Sequence, residues 1–308
     1  MGVMFSTIRG NTAASASQHL KSHERTAESF EVQALTNEHR AEVLAFLARR
    51  PVHTVCMAGY ILDHGMISPL NRGTFFGCRS NDGLLQGVAL IGHATLLEAQ
   101  CDEAVRAFAR LKYKYETSHL VRGEHSMIER FWREYAEFGY ERRLACRELL
   151  LEHVNIPQIY GPIPNLQIAT PADLETVMNI NADLLQVECG INPTHKDLEG
   201  FRKRTLNRIE QGRIWIWFRN NRLVFKADVF AETPAMAYLE GVYVNPLDRG
   251  QGHGLRCMVE LTRLLLKHSQ SICLLINERK RPLENFYNKA GYHARAWYDT
   301  IYLHRQAN

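Results

Sequence analysis

The residues best suited to chemistry lie in one stretch, Val242–Gly254, which reads VYVNPLDRGQGHG. Glycines at alternate positions let backbone N–H groups converge on one point, and a helix starting there adds its unpaired N–H groups and positive dipole end. Arg249 adds a permanent charge with a planar fork of donors, whereas His253 needs to supply only its backbone N–H. The stretch therefore predicts a phosphate-binding turn. Its expected ligands are Arg249, Gly250, Gln251, Gly252, His253 and Gly254.

Spacing separates three kinds of phosphate site. A P-loop would end in Gly-Lys-Ser/Thr, which this turn lacks. A dinucleotide-binding turn would read GxGxxG, with an acidic residue about 20 positions later. Here the turn reads GxGxG and is followed by the apolar Leu274 and Leu275. The third kind is the pyrophosphate loop of enzymes that use coenzyme A.

The order of residues around the turn supports that third kind. Arg249-x-x-Gly252-x-Gly254, preceded by Val-x-Val-x-Pro, resembles motif A of the GNAT superfamily of N-acetyltransferases. The chain from about Leu166 to Leu303 follows the order of elements in that family.

A second motif of the family has a counterpart downstream, from Asn277 to Tyr292. It includes Phe286-Tyr287, where the family presents a tyrosine on a short helix. The family commonly has Asn seven residues before that tyrosine, and here the position is Lys280, a departure that puts one hydrogen bond to the cofactor in doubt.

The resemblance implies acetyl-CoA as cofactor and roles for particular residues. In the family, the strand before the loop splays from the next one, and pantetheine bonds to backbone groups in the gap. Val242, Val244 and Asn277 occupy the corresponding positions. Tyr287 would point its hydroxyl at the cofactor sulfur as a neutral phenol with an ordinary pKa near 10, or would be a packing residue like Phe286.

Acyl transfer to an amine also needs a base. Strand residues alternate between faces, so we expect Tyr238 and Glu240 to lie on the same face as Val242 and Val244. Glu240 is the first choice for the base and Tyr238 the second. Glu188, in a loop expected to run to Pro193, would attract the amine or be a solvated carboxylate, and the sequence favours neither.

The whole chain is predicted to be an α/β (α+β) protein of two GNAT-like domains, each with a mixed, mostly antiparallel sheet flanked by helices. We expect a disordered tail over 1–33, a degenerate domain over 34–155, a proline-rich linker over 156–164 and the catalytic domain over 165–308. In the degenerate domain, a helix from Asn37 is expected to stop at Arg50-Pro51, and two strands to follow. Its strand-to-helix link, Ala94–Cys101, has neither glycine nor arginine, so we expect a structural or substrate-shaping role.

Composition narrows the class of protein. The 308 residues carry a formal net charge of +4 with no run of five like charges, so no nucleic-acid partner is expected. The longest apolar stretch is too short to span a bilayer, so no membrane partner is expected. Seven scattered cysteines and no HExxH site predict a cytoplasmic protein without disulfides or metal.

The sequence thus predicts an acyltransferase that moves an acetyl group from acetyl-CoA to a primary amine, in a small molecule or peptide, through a ternary complex. Two alternatives stay open: a non-catalytic acyl-CoA-binding regulatory module, and a tandem-GNAT aminoacyltransferase that uses charged tRNA. The acceptor, the acyl chain length and the oligomeric state cannot be read from the residues.

Overall fold

The computed structural model describes residues 30–115, 118–158, 161, 164–280 and 282–304. Within them, twelve strands form one continuous sheet in the order β1-β2-β3-β4-β5-β12-β6-β11-β10-β9-β8-β7. The strands of the first half are β1 (Glu31–Ala34), β2 (Gly73–Arg79), β3 (Leu85–Gly92), β4 (Ala94–Ala99), β5 (Leu120–Glu124) and β6 (Glu141–His153). Those of the second half are β7 (Gln167–Ile168), β8 (Ile214–Arg219), β9 (Arg222–Glu232), β10 (Met236–Val244), β11 (Ser271–Asn277) and β12 (Tyr292–His304).

Eight α-helices of the described residues flank this sheet. They are α1 (Arg40–Leu47), α2 (Pro51–His64), α3 (Asp102–Tyr113), α4 (His125–Ala136), α5 (Leu174–Cys189), α6 (Pro193–Glu210), α7 (His253–Leu265) and α8 (Pro282–Lys289).

The two halves exchange strands. The last strand, β12, lies between β5 and β6, with Ile301 opposite Val121 on one side and Ala145 on the other. Strand β6 in turn pairs with β11, where Leu275 faces Leu150. The sheet is mostly antiparallel, as predicted, and its parallel pairs are β4 with β5 and β10 with β11. The two expected sheets are therefore joined into one.

Three predicted features of the first half differ from the structure. Residues 1–29 of the expected tail lie outside the described residues, but Glu31–Ala34 forms β1, which pairs with β2. Pro51 follows the end of α1 but also begins a helix, α2, because the first helical position has no N–H bond to lose. The expected link Ala94–Cys101 is mostly strand β4, so only Gln100 and Cys101 join β4 to α3.

The helices of the second half cover both faces of its strands. Helices α7 and α8 pack on one face, in a buried cluster that includes Leu239, Leu274 and Tyr287. Helices α5 and α6 pack on the opposite face. Helix α2 from the first half also contacts β9, because Gly59 lets it approach Ala231 so closely that an added Cβ would lie 2.7 Å from the alanine Cβ. The face opposite α7 is thus shared by both halves.

Candidate acyl-transfer site

The glycine-rich turn joins the end of β10 to the start of α7. Gly250 and Gly252 both have φ +74°, a left-handed conformation that glycine adopts without strain. Gly252 directly precedes the helix. A Cβ on Gly254 would lie 2.7 Å from Cγ2 of Val244, so glycine is required for α7 to begin against the strand. The unpaired N–H groups of the first helical turn are therefore placed beside the end of β10.

An ion pair fixes this turn to the hairpin between β8 and β9. Arg222 donates to both carboxylate oxygens of Asp248, at 3.1 and 2.9 Å. These hydrogen bonds lower the pKa of Asp248. Asn245 adds a bond from its side-chain amide to the carbonyl of Leu223, at 3.1 Å. The turn is therefore held by these side-chain bonds together with two backbone bonds, from the N–H groups of Asp248 and Arg249 to the carbonyls of Asn245 and Pro246.

Arginines surround His253 at the start of α7. Arg219 Nη1 lies 2.9 Å from His253 Nε2, and Arg256 Nη2 lies 2.7 Å from Nδ1. A neutral imidazole accepts at one nitrogen only, so the two guanidinium groups are more than the ring can satisfy. Partial burial, Arg256 and Arg219 all lower the pKa of His253. Arg249 is exposed and bonds back to the carbonyl of Val244, at 3.0 Å. The turn carries an excess of positive charge.

Arg219 and Arg256 were not among the predicted ligands. Arg256 is one helical turn from His253 and could have been found from that spacing, since residues three apart share a helix face. Arg219 ends β8 and reaches the turn across the sheet, a contact that no local pattern reveals.

Strands β10 and β11 separate beside the turn. Their last paired residues are Leu239 and Leu274, although β10 continues to Val244 and β11 to Asn277. The diverging strands expected from the family resemblance are present. Asn277 lies at the end of the gap, where its side-chain oxygen accepts from the backbone N–H of Arg279 at 2.9 Å.

A β-bulge changes the predicted faces of β10. Between the pairs Glu240↔Asp228 and Tyr243↔Lys226, β10 has one more residue than β9, and Gly241 takes φ +58°. An extra residue reverses the alternation of side chains beyond it.

The prediction that Tyr238 and Glu240 share a face with Val242 and Val244 is therefore wrong. The two valines pack against the cluster under α7, whereas Tyr238 packs on the opposite face, in the cluster that includes Val55 of α2.

Glu240 belongs to a group of charged side chains on that opposite face. Its carboxylate accepts from Arg208 of α6 at 2.8 Å. Beside it, Lys226 and Asp228 are almost fully buried and form an ion pair at 2.8 Å. Lys226 also donates to the carbonyl of Gly241, at 3.2 Å, and thereby holds the bulge.

Asp228 and Tyr238 both have perturbed pKa values. Burial raises the pKa of Asp228, against the opposing charges of Lys226 and Arg208. Burial also raises the pKa of Tyr238 well above its ordinary value, although Arg122 opposes it. Tyr238 therefore stays a neutral phenol and is a poor base. Of the two predicted bases, Glu240 is the better placed. The pair Lys226 and Asp228, two charges on one face of an apolar strand, is a signal that the sequence prediction passed over.

Glu188 lies close enough to Tyr287 for its charge to affect the pKa of the phenol. Glu188 lies in the last turn of α5 rather than in a loop, because the helix runs on to Cys189 and ends at Gly190 in a left-handed conformation. Lys280 pairs with Glu188 at 3.4 Å.

Tyr287 is only 5% exposed, and burial followed by the charge of Glu188 raises its pKa. The expectation of an ordinary pKa near 10 is therefore wrong, and the shift favours a neutral phenol at neutral pH.

None of the described helices is long and apolar enough to cross a membrane. The described residues also hold no group of three His, Cys, Asp or Glu side chains able to bind a metal ion.

Comparison with known proteins assigns the fold. The chain matches no protein-family model and no curated protein. An acetyltransferase of the GNAT family from Colwellia psychrerythraea is similar in structure, with a TM-score of 0.56 and 13% identity, over 90% of this chain and 100% of that one. A Drosophila protein from a structural genomics programme has a TM-score of 0.63 and 10% identity, over 90% of this chain and 99% of that one. A tandem GNAT protein from the clavulanic acid biosynthesis pathway has a TM-score of 0.55 and 13% identity, over 88% of this chain and 98% of that one.

These likenesses extend over both halves of the chain. The protein therefore has the fold seen in these GNAT proteins over most of its length, as predicted.

Proposed function

We propose that the protein transfers an acetyl group from acetyl-CoA to a primary amine in a ternary complex. The observation that carries the proposal is the position of the glycine turn, which lies at the end of the gap between β10 and β11. A ligand with a phosphate on the turn and an extended arm in the gap would reach both Tyr287 and Glu240.

The residues present fit such a ligand. The turn combines free helix N–H groups with the charges of Arg219, Arg249 and Arg256, which suits a pyrophosphate. In the gap, the backbone of Val242 and Val244 has no partner on β11, so its groups can bond an arm that carries amides, as a strand would.

Bound acetyl-CoA would supply a thioester, whose carbonyl carbon joins the amine nitrogen while the sulfur leaves. Glu240 would take the proton that the amine loses and pass it to solvent. Tyr287 would give its proton to the sulfur and regain one from water, and Glu188 would help to keep its hydroxyl protonated. The products are an amide and the free thiol of coenzyme A.

An acceptor screen with acetyl-CoA and thiol detection tests the proposal. We expect thiol release that depends on a primary amine. Double-reciprocal plots of the rate, with both substrates varied, should give intersecting lines. Parallel lines would contradict the ternary complex. Binding of CoA in calorimetry without thiol release for any amine would instead make the protein a binding module. Failure to bind CoA, together with binding of charged tRNA, would favour the aminoacyltransferase.

A further inference from the structure

A cavity lies between the two halves on the face opposite α7. It is bounded by α2, β4, β5 and α4 of the first half, and by Tyr238 of β10 and Leu275 of β11. Tyr238 and Leu275 are adjacent to Leu239 and Leu274, the last paired residues of those strands. The cavity therefore begins where the gap opens. It has room for about three water molecules, which limits a ligand to a few non-hydrogen atoms.

Arg122 of β5 brings an anion-binding group to this cavity. It is the last residue of β5 paired with β4, opposite Leu96, so it stands at the point where the parallel strands of the first half also part. Its Nε donates to the hydroxyl of Thr300 at 2.7 Å, and Glu148 lies 3.6 Å away.

The two terminal nitrogens of Arg122 donate no hydrogen bond to any described residue, and the side chain keeps 29% of its surface exposed. Arg122 is nonetheless one of the residues that line the cavity. Both terminal nitrogens of its donor fork are thus available to a carboxylate there, and a guanidinium binds carboxylates through two parallel bonds.

The charges around the cavity favour a ligand that is not purely anionic. Arg50 is shared by Glu98, at 2.9 Å, and Glu124, at 2.5 Å, while Arg122 lies beside Glu148. Three carboxylates thus face two guanidinium groups. A ligand with an ammonium group as well as a carboxylate preserves this balance better than a simple anion does.

His53 does not change the balance at neutral pH. It stacks on Tyr298, and its Nδ1 lies 2.8 Å from the tyrosine hydroxyl. Burial, followed by the charge of Arg50, lowers its pKa, so the imidazole stays neutral.

We infer that Arg122 binds the carboxylate of a small amino acid, which is the amine acceptor. This inference rests on the proposed function and names its substrate class. Arg122 and Tyr238 line the same cavity where β10 and β11 part, and Glu240 follows Tyr238 by two residues on β10, so a carboxylate held by Arg122 leaves the amine of a small acceptor toward Glu240 and the gap. The first half of the chain, which lacks the glycine turn, then supplies acceptor recognition.

The test compares matched acceptors on the parent protein. Glycine and alanine are assayed beside their amides and beside methylamine and ethylamine, which lack the carboxylate. We expect kcat/KM for the amino acids to exceed that for the amides by about 10-fold or more, as for a charge-assisted bond. The amide's amine is less basic and so more often unprotonated, which means that easier deprotonation cannot explain this order. Equal values for acids and amides would overturn the inference.

Variants assign the effect to Arg122. R122Q is expected to raise KM for the amino acids about 10- to 100-fold and to leave KM for the amides and for acetyl-CoA within about 2-fold. The double variant R122Q/E148Q removes the charges of both Arg122 and Glu148, and we expect its KM values to match those of R122Q. The single variant E148Q is the control. If R122Q fails to fold, the inference is still tested by the preference of the parent for acids over amides and by the KM values of the double variant.

The remaining outcomes separate the two claims. No thiol release with any amine would contradict the proposed function itself. Amine-dependent release without preference for the carboxylate would contradict only the inference. Faster turnover of longer acyl thioesters, by R122Q and the parent alike, would show that the cavity holds the acyl chain. That result would also overturn the inference.

Discussion

Arg208 of α6 and Glu240 of β10 form an ion pair at 2.8 Å beside the bulge at Gly241. Glu240 keeps 33% of its side chain exposed, and the guanidinium of Arg208 also lies over the ring of Phe230, 4.7 Å from its centre. The carboxylate is therefore fixed in position yet open to solvent on one side. A base that removes a proton from an incoming amine needs both properties.

Glu240→Gln should lower turnover about 10²- to 10⁴-fold without changing CoA affinity, because the amide keeps the shape but cannot accept a proton. Glu210→Gln, at the exposed end of α6, is the matched control and should behave like the parent. Parent-like turnover in the Glu240 variant would remove this residue from the mechanism.

Gly252→Asp should weaken CoA binding by more than about 10-fold in calorimetry. The substitution places a negative charge at the start of α7 and forces a side chain into a conformation with φ +74°. Gly139→Asp controls for backbone strain, since Gly139 has φ +82° in open space. Arg249→Ala should weaken binding less, because the backbone donors remain. Parent-like binding by Gly252→Asp would contradict the assignment of the turn.

Tyr287→Phe should lower turnover about 10-fold or more and leave CoA affinity and the melting temperature little changed. Tyr292→Phe is the matched control, since its buried hydroxyl lies 2.6 Å from the hydroxyl of Thr262. That variant should lose stability and keep its turnover. The opposite result, with Tyr287→Phe less stable but equally active, would make Tyr287 a packing residue.

Binding of CoA should be accompanied by proton uptake at His253. Burial and two arginines lower the pKa of the free imidazole, and phosphate charge beside it should raise that pKa again. Affinity should therefore rise as the pH falls from the pKa of the bound state to the lower pKa of the free state. Calorimetry in two buffers of different ionisation enthalpy measures the uptake. His253→Gln should abolish it, and equal uptake in variant and parent would refute the assignment.

One CoA should bind per chain. In the first half, β4 reaches α3 through Gln100 and Cys101 alone, and the first turn of α3 carries Asp102 and Glu103. Two carboxylates at a helix start repel phosphate. Titration that gives two equivalent sites would contradict this prediction.

The glycine turn before α7 was the most predictable part of the molecule. Its glycine spacing and the proline at position 246 act within a few residues, and the structure follows them closely. Features that depend on distant contacts were not predictable. The bulge at Gly241 reverses a face because Lys226, fifteen residues earlier, donates to its carbonyl.

The pairing of strands between the two halves could not be predicted from the sequence pattern either. Alternating residues predict a strand such as β12, but they do not say which neighbours it will take. Arg122 and Thr300 are 178 residues apart in the chain, and their hydrogen bond exists only because β12 enters the other half.

The exchange of β6 and β12 has a consequence for synthesis on the ribosome. Strand β6 leaves the exit tunnel long before β11 and β12, the two strands that flank it in the finished sheet. Until those strands emerge, the nascent chain exposes both edges of β6 and one edge of β5, and unpaired edges are sites of aggregation. The first half therefore cannot mature ahead of the second, and completion of the sheet awaits translation through β12.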